Sequence, residues 1–421
     1  MMKGNEDMKT EKPYMMTLIN GLMYLLVISY ILPAGIIGGI SIQRILIYAI
    51  LLLGVAVVIR RNSFKELIKR FKAEIVVIGA GVVWWIGSSL KGEEYSTQFF
   101  SLLYVTVFMF IAVEIFIRSD ILNLDFLVKC ILIMLFGKIL EKIGIEILFL
   151  LDMIQYEQVG SLYVEWFGTS VTTMTMEVGS LEFVRVQSSS DAVLFFLSPF
   201  LWFLPQIKKG IRAALFLGTG IFAVIVFSRL YLVQFFSFGL IAVVFYGRQM
   251  PKKVKMAAAG VFVVSAFFWI RPMTELIRIR FFSDSVSESD SIRMEQLSRF
   301  VEAIPDHLWL GNGMGSYLPD YLRSTEAPFS YELEYLSFLY QLGIIGFIFI
   351  IVGTLYLYIK HIYEYFQYNQ KIIQILTLAA GLWYLIRPLF NPAFLGKQNG
   401  FIVIGILIIN AYCYKKETSV S

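Results

Sequence analysis

Apolar residues recur along this chain in blocks of about 15 to 25, separated by short polar stretches, which is the period of membrane-spanning helices rather than of a soluble fold. The blocks predict twelve spans, at about residues 17–32, 45–59, 75–90, 99–117, 126–150, 192–207, 213–227, 230–246, 256–270, 335–359, 372–386 and 400–414. The fifth is the least regular, because Lys129, Lys138, Glu141, Lys142 and Glu146 interrupt it. It reads either as one long span or as a shorter span followed by an amphipathic helix at the interface.

The polar positions give an independent test of this count. Lys and Arg collect in alternate connections, as the positive-inside rule requires: Arg60, Arg61, Lys65, Lys69, Arg70 and Lys72 after the second span, Arg118 after the fourth, Lys208, Lys209 and Arg212 after the sixth. Arg248, Lys252, Lys253 and Lys255 follow the eighth, Lys360 and Lys371 the tenth, and Lys415 and Lys416 the twelfth. Both termini are therefore expected in the cytoplasm. With no small-residue cleavage site after it, the first apolar block reads as a retained helix and not a signal peptide.

Two long connections fall on the opposite, outer face, at 152–191 and 271–334. The second predicts an amphipathic helix, with Met294, Leu297, Val301 and Ile304 on one stripe, Asp290 as its N-cap and Pro305 as its stop. The Ser/Asp/Glu run at 283–291 reads as a solvated loop or as a glycan contact. The fold class is thus all-α: a single polytopic helical bundle over residues 1–421 in a cytoplasmic (inner) membrane, with a large extracytoplasmic loop containing short helices.

Composition narrows the function classes. Of 421 residues, 58% are hydrophobic and 16% charged, against about 45–50% and 25% in soluble domains. The net charge of +5 comes from short basic loops between apolar runs and carries no nucleic-acid signature. Cys130 and Cys413 lie in apolar blocks, in no disulfide framework or metal spacing, and read as packing residues. His307 and His361 fall on opposite sides of the membrane, so no metal site is expected. The sequence GNGMG at 311–315 lacks the Lys-Ser/Thr of a phosphate loop, which excludes a nucleotide site there. No internal repeat is visible, which counts against a secondary transporter.

The informative residues are charges at the outer membrane edge. Arg229, in VIVFSRLYLV (224–233), has no acidic neighbour in sequence; it is either a snorkelling interfacial arginine or a residue with a task. Arg185, in FVRVQSSSDA (183–192), reads as a loop arginine or a ligand. Arg387, in YLIRPLFNPAF (384–394), stands at the outer end of the eleventh span. Three arginines on one face suggest an anion, since guanidinium forks match phosphate oxygens bidentately. Glu332 and Glu334 stand just before the tenth span, in YELEYLSFLYQLGIIG (331–346), and two residues apart they cannot share a helix face. A partly desolvated carboxylate there is a candidate general base; the alternative is interfacial solvation or pairing with an arginine.

The stretch IPDHLWLGNGMGSY (304–317) followed by 331–346 resembles the signature of the O-antigen polymerase and ligase superfamily, the Wzy- and WaaL-type membrane proteins. Gly311, Gly313 and Gly315 fit its Gly-x-Gly-x-Gly turn, Gly343 and Gly346 its following Gly-x-x-Gly step, Ser228-Arg229 its Ser-Arg at a helix turn, and Arg185 its arginine before an outer-leaflet helix. Ligases carry a histidine where Glu332 stands here, and the family's proline after the loop helix is displaced, with Leu308 in its place. The resemblance implies a GT-C-like membrane glycosyltransferase that polymerises undecaprenyl-diphosphate-linked repeat units of capsule, exopolysaccharide or O-antigen, without metal or cofactor. The lipid-linked glycans are donor and acceptor, and a chain-length regulator is a further partner to be expected. Arg229 and Arg185 are then assigned to the diphosphate with Arg387 as a third candidate, and Glu332 to the acceptor hydroxyl with Glu334 as substitute. A lipid-linked oligosaccharide flippase and an O-antigen ligase are the alternatives.

Overall fold

The computed structural model describes residues 8–33, 35–37, 40–60, 69–168, 171–178, 181–249, 284–322, 324–325 and 327–418. The expected ninth span, 256–270, lies outside them, as do Arg61, Lys65, Lys252, Lys253 and Lys255. The described chain is mostly helical. Its helices are α1 (Met8–Ser29), α2 (Ile42–Arg60), α3 (Lys72–Leu90), α4 (Ser96–Arg118), α5 (Leu124–Leu150), α6 (Tyr156–Phe167), α7 (Ala192–Phe203), α8 (Lys209–Val226), α9 (Arg229–Gln249), α10 (Asp284–Ala303), α11 (Glu334–Gly346), α12 (Gly353–Phe366), α13 (Lys371–Ile386) and α14 (Lys397–Thr418). Among the described residues, seven helical runs are long and apolar enough to cross a membrane, and Tyr14–Ser29 and Ser189–Phe203 are shorter apolar helices. The protein is a polytopic helical membrane protein.

Two expectations change. The 152–191 connection is not plain loop: it holds α6 and an antiparallel hairpin of β1 (Thr172–Val178) and β2 (Leu181–Gln187), paired Thr172 with Gln187 through Val178 with Leu181. The chain is therefore mostly helical rather than all-α. Second, α10 begins at Asp284, so Asp290 lies inside the helix and does not cap it. Its end at Ala303, before Pro305, is where a proline ring would clash with the preceding turn.

The chain folds as two compact units, one of residues 1–30, 41–134 and 293–421, the other of 31–40 and 135–292. In the second unit, the charges that interrupt α5 turn inward. Lys138 donates to Ser190 Oγ at 2.7 Å, Lys142 lies 3.6 Å from both Asp191 and Glu141, and Tyr163 donates to Glu141 at 2.6 Å. Glu146 accepts the main-chain N–H of Val184. Ile145, Val159, Tyr163, Val184 and Val186 pack into a core between α5, α6 and the hairpin.

The first unit is organised around a broken helix. The run from α11 into α12 passes through a π-type segment, Phe347–Val352, and is interrupted earlier at Gly343, which has φ 65 and ψ 179. An unbroken α-helix would bond Ile344 N–H to Tyr340 and Ile345 N–H to Gln341. Instead Ile344 and Ile345 donate to Leu308 and Trp309 carbonyls at 2.9 and 3.2 Å, while Tyr340 and Gln341 carbonyls accept from Asn312 and Gly313, both at 2.9 Å. Residues 308–313 thus replace both lost bonds with four of their own, two accepted by Leu308 and Trp309 and two donated from the GNGMG loop. Trp84 on α3 donates its indole N–H to Leu310 and Leu342 carbonyls, bracing loop and helix together.

Glycine is required where the two backbones cross. A Cβ on Gly311 would lie 2.4 Å from the Gln341 carbonyl oxygen, and one on Gly343 would lie 2.4 Å from the Trp309 carbonyl. Both residues also have positive φ, at 73° and 65°, which side chains disfavour. Gly311→Ala and Gly343→Ala should each lower the thermal unfolding midpoint of the detergent-solubilised protein by many degrees or abolish its recovery as a monodisperse peak. Gly381→Ala, where an added Cβ meets nothing within 4 Å, should leave it unchanged.

Candidate functional site

Two groups of site residues emerge, one in each unit. In the second unit, α8 ends on Phe227, a buried residue in the left-handed conformation (φ 44, ψ 41) whose N–H bonds to the Ala223 carbonyl. The reversal leaves Ser228 to cap the next helix through Leu232 N–H, at 2.9 Å, and puts Arg229 in the first turn of α9. A cation at a helix N-terminus adds to the positive end of the helix dipole instead of offsetting it. The first turn of a helix is in general an anion-binding position.

Arg185 comes to the same turn from the hairpin. On β2 its neighbours Val184 and Val186 enter the hydrophobic core, so the period of two sends Arg185 to the other face. There it is still buried, donating from Nε to the Val226 carbonyl at 3.1 Å and from Nη2 to Gln187. Burial and the neighbouring charge of Arg229 both push its pKa below the ordinary arginine range. The structure therefore brings Arg185 and Arg229 together, two like charges at one dipole end. Arg229 meets Asp290 at 3.5 Å, a half-exposed pair in which the aspartate is more than half accessible. Such a pair is worth about 0–1 kcal/mol and can be exchanged for a stronger anion at little cost.

The β2–α7 junction that fixes Arg185 rests on the buried charges of α5. Asp191 accepts from Ser188 N–H and Oγ at 2.7 and 2.6 Å, and Ser190 takes Lys138. Lys138, Lys142 and Asp191 are all buried. In the sequence these lysines look like flaws in a span; what could have found their role is that cations four apart on one helix need an internal counter-charge.

In the first unit, Glu332 and Glu334 go to different partners. Glu334 opens α11 fully buried, and its carboxylate accepts three main-chain N–H groups: Ala393 at 2.6, Phe394 at 2.7 and Leu395 at 3.2 Å. Arg387 adds an opposite charge nearby and donates to Asn399 at 2.8 Å. Both oxygens of Glu334 are thereby engaged in tying the α11 start to the segment before α14, a fastening rather than an open base. Arg387 is buried in the same fastening and presents no open fork to a phosphate.

Glu332 is arranged differently. Its carboxylate lies 2.7 Å from Arg293 Nε, and both side chains keep partial exposure, 11% and 20%. Its main-chain N–H, with that of Leu333, is held by Gln296 Oε1 at 3.0 and 3.3 Å. Arg293 and Gln296 both stand on α10, one turn apart, so that helix orients Glu332 through backbone and side chain together. Neither was singled out from the sequence, where nothing distinguishes Arg293 from the other charges of a polar helix.

Neither histidine joins these groups. His361 is buried at the α12 end of the first unit, between Glu74 at 2.6 Å and Glu114 at 2.5 Å. No group of three or more His, Cys, Asp or Glu among the described residues could hold a metal ion. The arrangement places two guanidinium groups near the start of α9 and, separately, a partly shielded carboxylate at a helix opening.

Residues 189–351 match the family model for O-antigen ligase (Wzy_C), a stretch that takes in Arg229, the glycine loop, Glu332 and Glu334. No curated protein matches the chain.

The buried Lys142–Asp191 pair can be tested directly. Lys142→Met should cost about 3–5 kcal/mol by leaving a buried carboxylate unpaired, seen as a lower unfolding midpoint. Lys142→Met with Asp191→Asn should recover much of that loss.

Proposed function

We propose that this protein belongs to the Wzy and O-antigen ligase family and polymerises undecaprenyl-diphosphate-linked repeat units on the outer face of the cytoplasmic membrane, joining them into capsule, exopolysaccharide or O-antigen. The observation that carries the reading is the pairing of Arg185 with Arg229 at the N-terminus of α9. In such a transfer the bond between the sugar and the lipid diphosphate breaks and negative charge collects on the departing diphosphate. Two guanidinium groups and a helix dipole fixed in place beforehand stabilise that charge without reorganising. The Val226 carbonyl, the hairpin core and the buried ion pairs hold Arg185 in place, and the turn at Phe227 sets Arg229 at the start of α9.

Glu332 is the base in this reading. It would take the proton of the acceptor sugar's hydroxyl as that oxygen attacks the anomeric carbon, with Arg293 orienting the carboxylate. Glu334 and Arg387, engaged with each other's surroundings and with main chain, keep a structural role. A carboxylate in place of the histidine that ligases carry at this helix opening favours polymerisation over ligation. No nucleotide or metal enters the scheme.

The purified protein, reconstituted with its lipid-linked repeat unit and no added nucleotide, should yield a ladder of glycan multiples on a gel. Arg229→Ala and Glu332→Gln should each slow ladder formation by about 100-fold or more with unchanged unfolding midpoints. Single units that only cross the bilayer would make the protein a flippase. An unchanged ladder in Arg229→Ala would remove the phosphate assignment.

A further inference from the structure

Helix α10 has three faces, and only two are accounted for. Gln296, Phe300 and Ile304 are buried, packing with Leu308, Tyr331 and Tyr340. Glu295 and Arg299, a turn apart, make the wet face. Met294, Leu297 and Val301 share a third stripe and stand 64%, 38% and 60% exposed. Of the stripe expected from the sequence, Ile304 is buried and the other three stand outside. Three bulky apolar groups on one exposed helical stripe beside a charged face make the pattern of a helix lying in a membrane interface.

The level of α10 relative to the bilayer follows from the broken span. The run Glu334–Phe366 has 33 residues, roughly 50 Å of helix at 1.5 Å per residue, against a hydrocarbon core of about 30 Å. Its far end is marked by the ion cluster of Lys360, His361 and Glu364 with Glu74, Arg70 and Arg118. Counting back about 20 residues from Ile359 puts the other hydrocarbon edge near Tyr340. The Phe300 ring packs against Tyr340, 5.8 Å between centroids, so the second half of α10 lies at that edge. Just past its end, Trp309 and Leu310 are exposed; the Trp309 carbonyl accepts from Ile345 of the span, and Ile345, Ile348 and Phe349 are themselves exposed. The lipid-facing surface of the span therefore continues over the glycine loop, with a tryptophan at interfacial depth.

We infer that α10 is seated on the bilayer, with Met294, Leu297 and Val301 inserted at the boundary between headgroups and acyl chains and Trp309 as an anchor beside them. The partner is membrane lipid. The inference rests on the membrane topology of the chain and not on its proposed chemistry. One consequence is that Arg293, on the same helix, stands at headgroup level, the depth at which the phosphates of any lipid-linked substrate lie.

The test uses the full-length protein in liposomes, with Cys130→Ala and Cys413→Ala as background. Nitroxides placed at Leu297→Cys and Val301→Cys, and for comparison at Glu295→Cys and Arg299→Cys, are read for collision with oxygen and with a water-soluble nickel chelate. The oxygen-to-nickel ratio should be several-fold higher at 297 and 301 than at 295 and 299. Equal ratios would overturn the inference, and so would shielding of 297 and 301 from both reagents, which would mean a protein partner covers the face. As a check free of the cysteine background, brominated lipid should quench the wild type measurably more than Trp309→Phe; equal quenching would count against the inference.

Discussion

In the hydrocarbon core of a bilayer no water is present to take up a stray amide, and an unsatisfied backbone group costs several kcal/mol. The break at Gly343 puts this chain under that constraint twice over, freeing two N–H groups and two carbonyls in a span. Residues 308–313 resolve it by crossing the helix backbone closely enough to bond all four. That crossing is possible only because Gly311 and Gly343 present no side chain to each other's backbone. From it follow the position of Trp84 against the loop, the packing of α10 on Tyr331 and Tyr340, and the hold of Gln296 on the main chain of Glu332. The orientation of one candidate catalytic group is thus a consequence of how a broken helix is repaired.

The second unit obeys a related rule for charge. Its arginine pair is an electrostatically costly arrangement, two like charges at the positive end of a helix, and such arrangements persist where surrounding structure over-determines them. Here the surroundings are a hairpin packed on α5 and α6, a left-handed phenylalanine at the helix turn, and buried lysines joined to Asp191 and Ser190. Together they fix Arg185 and the backbone at the start of α9, while the Arg229 side chain reaches out to Asp290. An anion in their midst would relieve the repulsion, which gives a physical reason for phosphate to bind there.

Much of this was legible in the sequence, and unevenly so. Apolar blocks and basic loops disclose a polytopic helical protein because lipid imposes a simple rule of composition. The glycine spacing carries the resemblance to the O-antigen polymerase and ligase superfamily, and Arg185 and Arg229 stand out as charges that the apolar pattern does not ask for. What stayed hidden depends on contacts distant in sequence. Lys138 and Lys142 look like interruptions of a span until Ser190 and Asp191 come to meet them. Glu334 looks like a base until three amides of residues 393–395 converge on it. Arg293 has no local mark at all, and the α10 stripe has the periodicity of a core helix although three of its four residues face outward. The hairpin in the 152–191 connection likewise depends on a pairing of Thr172–Val178 with Leu181–Gln187 that the apolar blocks on either side do not disclose.

The central claim is that Arg185 and Arg229 together form the seat of a lipid-linked diphosphate. Native mass spectrometry of the protein with undecaprenyl diphosphate and a neutral lipid of similar length reads this without relying on turnover. The account predicts that the diphosphate lipid is retained preferentially by the wild type, and that Arg185→Ala with Arg229→Ala abolishes the preference while the neutral lipid binds as before. Equal retention of the diphosphate lipid by the wild type and the double variant would contradict it.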